Sequence, residues 1–137
     1  MNIGQVLHAR WEADGTLNGL LPVAKVMTGN YFAEDPVFPY GTIIRPGDTT
    51  EGYDNEGAAD ERVTVRVTVY HHRDSYDAGL AIADAVKSAF DRAAFDLFGS
   101  DKVLNMQRTG YVELQDEDDN WFFVIDFTCM VYLASGT

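Results

Sequence analysis

The chain is 137 residues long, 46% hydrophobic and 12% aromatic, which fits one globular domain with its own core and excludes a disordered chain. Its 10 Lys/Arg against 22 Asp/Glu leave a net charge of −12, which disfavours tight binding to a phosphate backbone. A single cysteine, Cys129, excludes an intramolecular disulfide and a multi-cysteine zinc site, and suits folding in a reducing compartment.

The start, MNIGQVLHARWEADG, has no basic stretch leading into an uninterrupted apolar run, so no secretory leader is expected. No stretch reaches the roughly 18 apolar residues of a membrane span. Ile3 to Ala13 reads as a helix, with Ile3, Val6, Leu7, Ala9 and Trp11 on a broad apolar face. Asp14-Gly15 breaks it, and a second turn through Leu17, Leu20 and Leu21 stops before Pro22. Val23 to Met27 is a brief extended segment.

Phe38 to Ile44 reads as a strand whose approach is held extended by Asp35-Pro36 and Phe38-Pro39. RPGDTTEGYDNEGAADE, Arg45 to Glu61, then predicts a long mobile acidic excursion between two paired strands. Asp48, Glu51, Tyr53, Asp54 and Glu56 lie within it. Its acids do not follow the oxygen-ligand register of an EF-hand.

Val63 to His71 alternates without a slip, with Val63, Val65, Val67, Val69 and His71 on one face. Ser75 caps the helix that follows, whose core stripe is Ala78, Ile82, Ala85, Val86, Ala89 and Phe90, with Lys87 and Asp91 paired on the wet side. Val103 to Leu114 is a strand in which Gly110 marks a bulge. A polar turn, Gln115 to Asn120, leads into the strand Trp121 to Leu133. Trp121, Phe123, Ile125, Phe127, Cys129, Val131 and Leu133 form its core face. On the other face Phe122, Val124, Met130 and Tyr132 are apolar where a solvated face calls for polar residues, which points to cover by a helix or by another subunit. The sum is an α+β domain: an antiparallel sheet of about four strands, an N-terminal helix and one amphipathic helix packed against it.

Tyr70-His71-His72-Arg73-Asp74-Ser75 resembles a site in composition. Alternation sets His71 and His72 on opposite faces, and His8 and Cys129 lie elsewhere, so the residues read as the corner where a strand hands over to a helix. Asp116, Glu117, Asp118 and Asp119 read as a solvated turn. No nucleophile elbow and no phosphate-cradling glycine loop is present, so no catalytic residue, cofactor or metal is expected.

LNGLLP after the first helix, FPYGTI, the strand-helix unit VTVRVTVYHHRDSYDAGLAIADAVKSAF and the closing strands VLNMQRTGYVEL and WFFVIDFTCMVYL resemble the phage tail-completion proteins, also called tail terminators or head–tail joining proteins. Tyr70 and His71 stand where that family often carries a tryptophan and a small polar residue. The resemblance implies a structural virion protein that forms a homohexameric ring, caps the tail tube and meets the head connector. It also implies that DNA passes through the lumen unbound, in a particle assembled in the host cytoplasm. Heterologous contacts close such a ring, in which the acidic excursion, with Asp48, Glu51, Tyr53, Asp54 and Glu56, would serve as a docking arm. Three rival readings stand beside it: a head-closure (neck) protein, a small ligand-binding or enzymatic domain using the His71–Asp74 corner, and a two-fold dimeric adaptor.

Overall fold

The computed structural model describes residues 3–28, 37–53, 59–92, 95–96 and 102–133. Helix α1 (Ile3–Ala13) ends at Asp14, whose carboxylate accepts the Leu17 N–H at 2.9 Å and caps α2 (Gly15–Leu20). The Trp11 indole N–H donates to the Leu21 carbonyl at 2.8 Å, satisfying an acceptor just past the end of α2. A 3-10 turn, Val23–Lys25, leads into β1 (Val26–Thr28). The Nε2 of His8 lies 3.1 Å from the Val23 carbonyl and 2.9 Å from that of Val26, which ties α1 to the start of β1.

Strands β2 (Tyr40–Tyr53) and β3 (Ala59–His71) pair antiparallel, and α3 (Tyr76–Phe90) follows. The remaining strands are β4 (Phe95–Asp96), β5 (Lys102–Gln115) and β6 (Trp121–Leu133). They form one sheet in the order β1-β2-β3-β6-β5-β4, antiparallel except for β1 beside β2. Among the described residues the sheet therefore has six strands where the sequence predicts about four. The two extra strands are three and two residues long, too short to carry a period-2 signal.

The three described helices pack on one face. Val63, Val65, Val67 and Val69 of β3 and Phe123, Ile125, Phe127, Cys129 and Val131 of β6 are buried there with Leu7, Trp11, Leu17 and Phe90, as alternation predicts. Trp121 is only half-buried at the end of this face, where Tyr76 packs against it at 4.8 Å between ring centroids. The side chain of Leu133 lies outside the described residues. In α1, Leu7 and Trp11 are buried and Val6 half-buried, while Ala9 is exposed.

The stripe of α3 is rotated from its predicted position. Gly79, Ile82, Ala83, Val86 and Phe90 are buried, whereas Ala78 is exposed and Ala85 and Ala89 are half-buried. The cause is Phe123: a Cβ on Gly79 would lie 2.4 Å from its Cε2, so only glycine lets the helix approach the sheet here. Ser75 holds the N-cap position without a side-chain hydrogen bond. Lys87 pairs with Asp84 at 3.4 Å rather than with Asp91, whose Oδ1 instead accepts the Arg108 N–H at 3.0 Å. Phe38-Pro39 forms a bend with a cis bond rather than an extended step, with Phe38 stacked on Tyr40 at 5.7 Å, and Asp35-Pro36 lies outside the described residues.

The largest difference concerns the acidic excursion. Residues 45–53 belong to β2 and 59–61 to β3, with Asp48 opposite Val63 and Tyr53 opposite Ala59. Backbone pairing runs on past Arg45-Pro46 although Thr49, Thr50 and Tyr53 are the only strand-favouring residues of that stretch of β2, and the chain absorbs the dipeptide in a register shift between Ile44 and Gly47. Asp54 and Glu56 lie outside the described residues. The bulge expected at Gly110 is present, as a shift in the β5–β6 ladder between Arg108 and Gly110.

Candidate interaction face

The polar corner does not gather into a site. His71 is the last residue of β3, and its Nδ1 accepts the His72 N–H at 2.9 Å. His72 has left the strand, and its Nδ1 accepts the Asp74 N–H at 3.2 Å, while the Arg73 N–H donates to Asn120 Oδ1 at 3.1 Å. These bonds tie the corner to itself and to the β5–β6 turn. Burial, then Lys25, then His72, holds the His71 imidazole below its usual range, so it favours the neutral form. The Asp116 carboxylate is likewise used locally, accepting the N–H groups of Asp118 (2.8 Å) and Asn120 (3.0 Å). Among the described residues no group of three or more His, Cys, Asp or Glu side chains is placed to hold a metal ion. Burial pushes the Cys129 thiol up to about 11, which makes it a poor nucleophile at neutral pH.

A second polar cluster clamps α3 to β5. Glu113 accepts the Tyr76 hydroxyl at 2.6 Å and the Tyr111 hydroxyl at 2.7 Å, and the Lys87 ammonium sits 3.5 Å from the centre of the Tyr111 ring. The Tyr76 bond first, then the Tyr111 bond, holds the Glu113 carboxyl below its ordinary value of 4.5. A carboxylate depressed in the fold adds stability above its unfolded pKa, and loses that contribution as pH falls through the folded value. Glu113→Gln is therefore expected to lower the thermal midpoint at neutral pH, by a small amount because solvent screens the half-exposed group. That deficit is expected to shrink as the pH drops below 4.5, measured as paired melting curves across the acid range. A deficit that stays constant down the titration would remove Glu113 as the cause.

The face of the sheet away from the helices is covered by no described element. Its side chains lie in transverse rows fixed by register. The first row, Tyr40, Tyr70, Phe122 and Leu114, continues Phe38 as a run of stacked rings, with centroids 4.5 Å apart for Tyr40–Tyr70 and 6.1 Å for Tyr70–Phe122. The second row is Thr42, Thr68, Val124 and Val112. The third holds Ile44 and a two-bond ion pair, Arg66 Nε and Nη2 to Asp126 Oδ1 and Oδ2 at 2.8 and 3.2 Å. Small Thr42 and Thr68 between taller rows leave an open trench of about 410 Å³.

Of the residues singled out by alternation, the structure brings Phe122 and Val124 together in this trench. Met130 and Tyr132 share the face, but lie beyond the ion pair and Thr128, about 20 and about 26 Å along the strand from Val124 at roughly 3.3 Å per residue. All four are half-buried. Sequence reasoning passed over Tyr40, Tyr70, Val112 and Leu114, which complete the apolar rows. Their signal was hairpin arithmetic: the Asp116–Asn120 turn sets Val112 opposite Val124 and Leu114 opposite Phe122. Val112 and Leu114 are 48% and 43% exposed, high for large apolar side chains, and both lie on this face. Of the docking-arm residues, Asp48, Glu51 and Tyr53 lie along β2 at the opposite end of the sheet from the aromatic row.

The sheet is a single layer with the described helices on one face and a broad, half-apolar face opposite. The chain belongs to the tail completion protein gp17 family, whose sequence pattern matches residues 5–132. That family assignment makes it a structural protein of a phage tail. A chain from the virion of a native gene transfer agent particle has a similar fold, with a TM-score of 0.72 and 15% identity over 92% of this chain and 91% of that one. A search of curated proteins gives no match. Among the described residues no helix is long and apolar enough to cross a membrane.

Proposed function

We propose that this chain is the tail terminator: a homohexameric ring that caps the finished tail tube and presents its other end to the head connector. The uncovered outer face carries the reading most directly, because Phe122, Val124, Val112 and Leu114 leave an apolar surface that a neighbouring subunit would remove from water. Membership of a tail completion family supplies the setting, and the gene transfer agent fold is that of a virion component. DNA passes through the lumen without specific binding, in keeping with a net charge of −12. The function needs matching surfaces at the two ends of the ring and no chemistry. The acidic β2–β3 arm is one such docking surface.

Size exclusion with light scattering, followed by negative-stain imaging, tests this. A peak at about six protomers of 15.2 kDa, showing rings, is the expected result. A closed two-fold dimer in the presence and absence of tail tubes would overturn it. Rings that seat on the head connector but leave tubes bare would assign the chain to head closure instead.

A further inference from the structure

Four large apolar side chains are exposed among the described residues: Leu20, Val37, Val112 and Leu114. Val112 and Leu114 line the outer-face trench, on β5 near one margin of the sheet. Leu20 belongs to the helix side near the other margin, since its neighbour Leu21 lies 3.5 Å from where a Cβ on Gly41 would sit, and Gly41 pairs with β1. The rung Gly41–Val69–Phe123–Glu113 crosses the sheet, and Glu113 falls between Val112 and Leu114. The end of α2 and the trench therefore share a level along the strands, on opposite faces and towards opposite margins.

We propose that the exposed side of α2, Gly15 to Leu20, seats in the outer-face trench of the next copy of this chain, so that subunits overlap like shingles. The inference rests on the ring reading above and names the contact that builds the ring.

Charge matches the two surfaces. No residue from Gly15 to Ala24 is charged, in a chain of net charge −12. The charged residues lining the trench are Arg66 and Asp126, which neutralise each other through two hydrogen bonds. An uncharged surface thus meets a neutral one, and no charge is buried without a partner. Shape agrees. The aromatic row and the ion-pair row stand about 13 Å apart at the backbone, less the thickness of their own side chains. A helix about 10–12 Å across with its side chains would ride on those walls. Gly15 and Gly19, four apart on one side of α2, let its backbone sink between them, with Leu20 alongside to fill the apolar floor. Nothing described within the subunit calls for these glycines. A Cβ on either would meet nothing within 4 Å, neither backbone is left-handed, and alanine is the better helix former. Close approach of another backbone from outside accounts for them.

Extent and level fit as well. From Phe122 to Tyr132 and across four strands the outer face measures about 33 by 19 Å, roughly 600 Å², most of the about 800 Å² that each partner gives to an ordinary interface. The neighbour's α1 and α3, which pack against its α2, extend the cover beyond the trench. Because the two patches share a level, each neighbour is displaced across the strands without climbing along them. A heterologous contact that does not climb closes into a ring, and one that climbs makes a filament.

Two measurements test it. Leu20→Cys/Val112→Cys protein, and separately Leu20→Cys/Leu114→Cys protein, is joined with a short bis-maleimide and run denatured beside the single replacements, with buried Cys129 left in place. A ladder of covalent multimers from at least one double variant, and none from the singles, is the expected result. Dimers from Leu20→Cys alone would show two helix sides meeting about a two-fold, and overturn the proposal. Rings by light scattering with no ladder from either double variant would overturn this contact while leaving the ring intact. Monomers with and without tail tubes would overturn the ring reading, and the contact with it. Gly19→Ala is expected to act with opposite signs: it raises the melting midpoint of the monomeric Val124→Asp protein and lowers the ring fraction of the otherwise unchanged chain. A midpoint that falls would give Gly19 a role inside the subunit, and a ring fraction that holds would exclude close approach there. Either result overturns the seating of α2 in the trench.

Discussion

Replacing Val124 with aspartate is expected to abolish the ring and leave a folded monomer. Val124 sits half-buried in the trench between Thr68 and Val112, with its side chain on the face the helices leave open. In the monomer the new carboxylate stays hydrated, and only its proximity to Asp126 disfavours it. Covered by a neighbour, it becomes a buried charge without a partner, which costs roughly 3–5 kcal/mol. That is about a hundredfold or more in each subunit contact, so the scattering mass falls to one protomer. The melting midpoint of the isolated chain changes little. An unchanged ring with unchanged stability would show that this face is not the contact.

Gly79→Ala is expected to destabilise the fold, although alanine is the better helix former. The added Cβ would lie 2.4 Å from Cε2 and 2.8 Å from Cζ of Phe123, and 3.3 Å from Cβ of His71. Phe123 is fully buried and held between Tyr76 (5.8 Å) and Trp121 (6.3 Å), so its ring has no free space to swing into. Overpacking of this kind costs typically 1–3 kcal/mol, and the propensity gain of about 1 kcal/mol offsets only part of it. The thermal midpoint is expected to fall by several degrees, read by circular dichroism. A midpoint equal to or above that of the unchanged protein would mean that α3 can move away from the sheet without loss.

Much of this architecture is legible in the chain because its strands alternate so cleanly. Val63–Val69 and Phe123–Val131 declare a buried face residue by residue, and α1 spans Ile3 to Ala13 as the sequence predicts. The turn chemistry of Asp14-Gly15 and of Asp116–Asn120 places two boundaries correctly. What escapes the sequence depends on neighbours in space. Gly79 enters the core because Phe123 lies beneath it, and a helical stripe counted from apolar residues passes over a glycine. The acidic segment looks like a loop by composition, yet pairing with β3 carries β2 on to Tyr53. Backbone hydrogen bonds do not depend on side-chain polarity, so composition underestimates the strand.

The outer face shows the same division. Alternation marks Phe122, Val124, Met130 and Tyr132 as sharing one side of β6, and they do. Alternation also sets Asp126 and Thr128 between the first two and the last two, but it cannot show that Asp126 is held there by Arg66 of the neighbouring strand β3. Nor does composition reveal that the His71–Asp74 corner spends its hydrogen-bonding groups on its own backbone and on Asn120. A cluster that resembles a site in one dimension is, in three, a junction.

The measurement that bears most directly on the central claim is negative-stain imaging of purified tail tubes mixed with this protein. Tubes closed at one end by a ring, with Val124→Asp protein leaving the same ends bare, is the result predicted. Tubes with uncapped ends at saturating protein would contradict the terminator assignment.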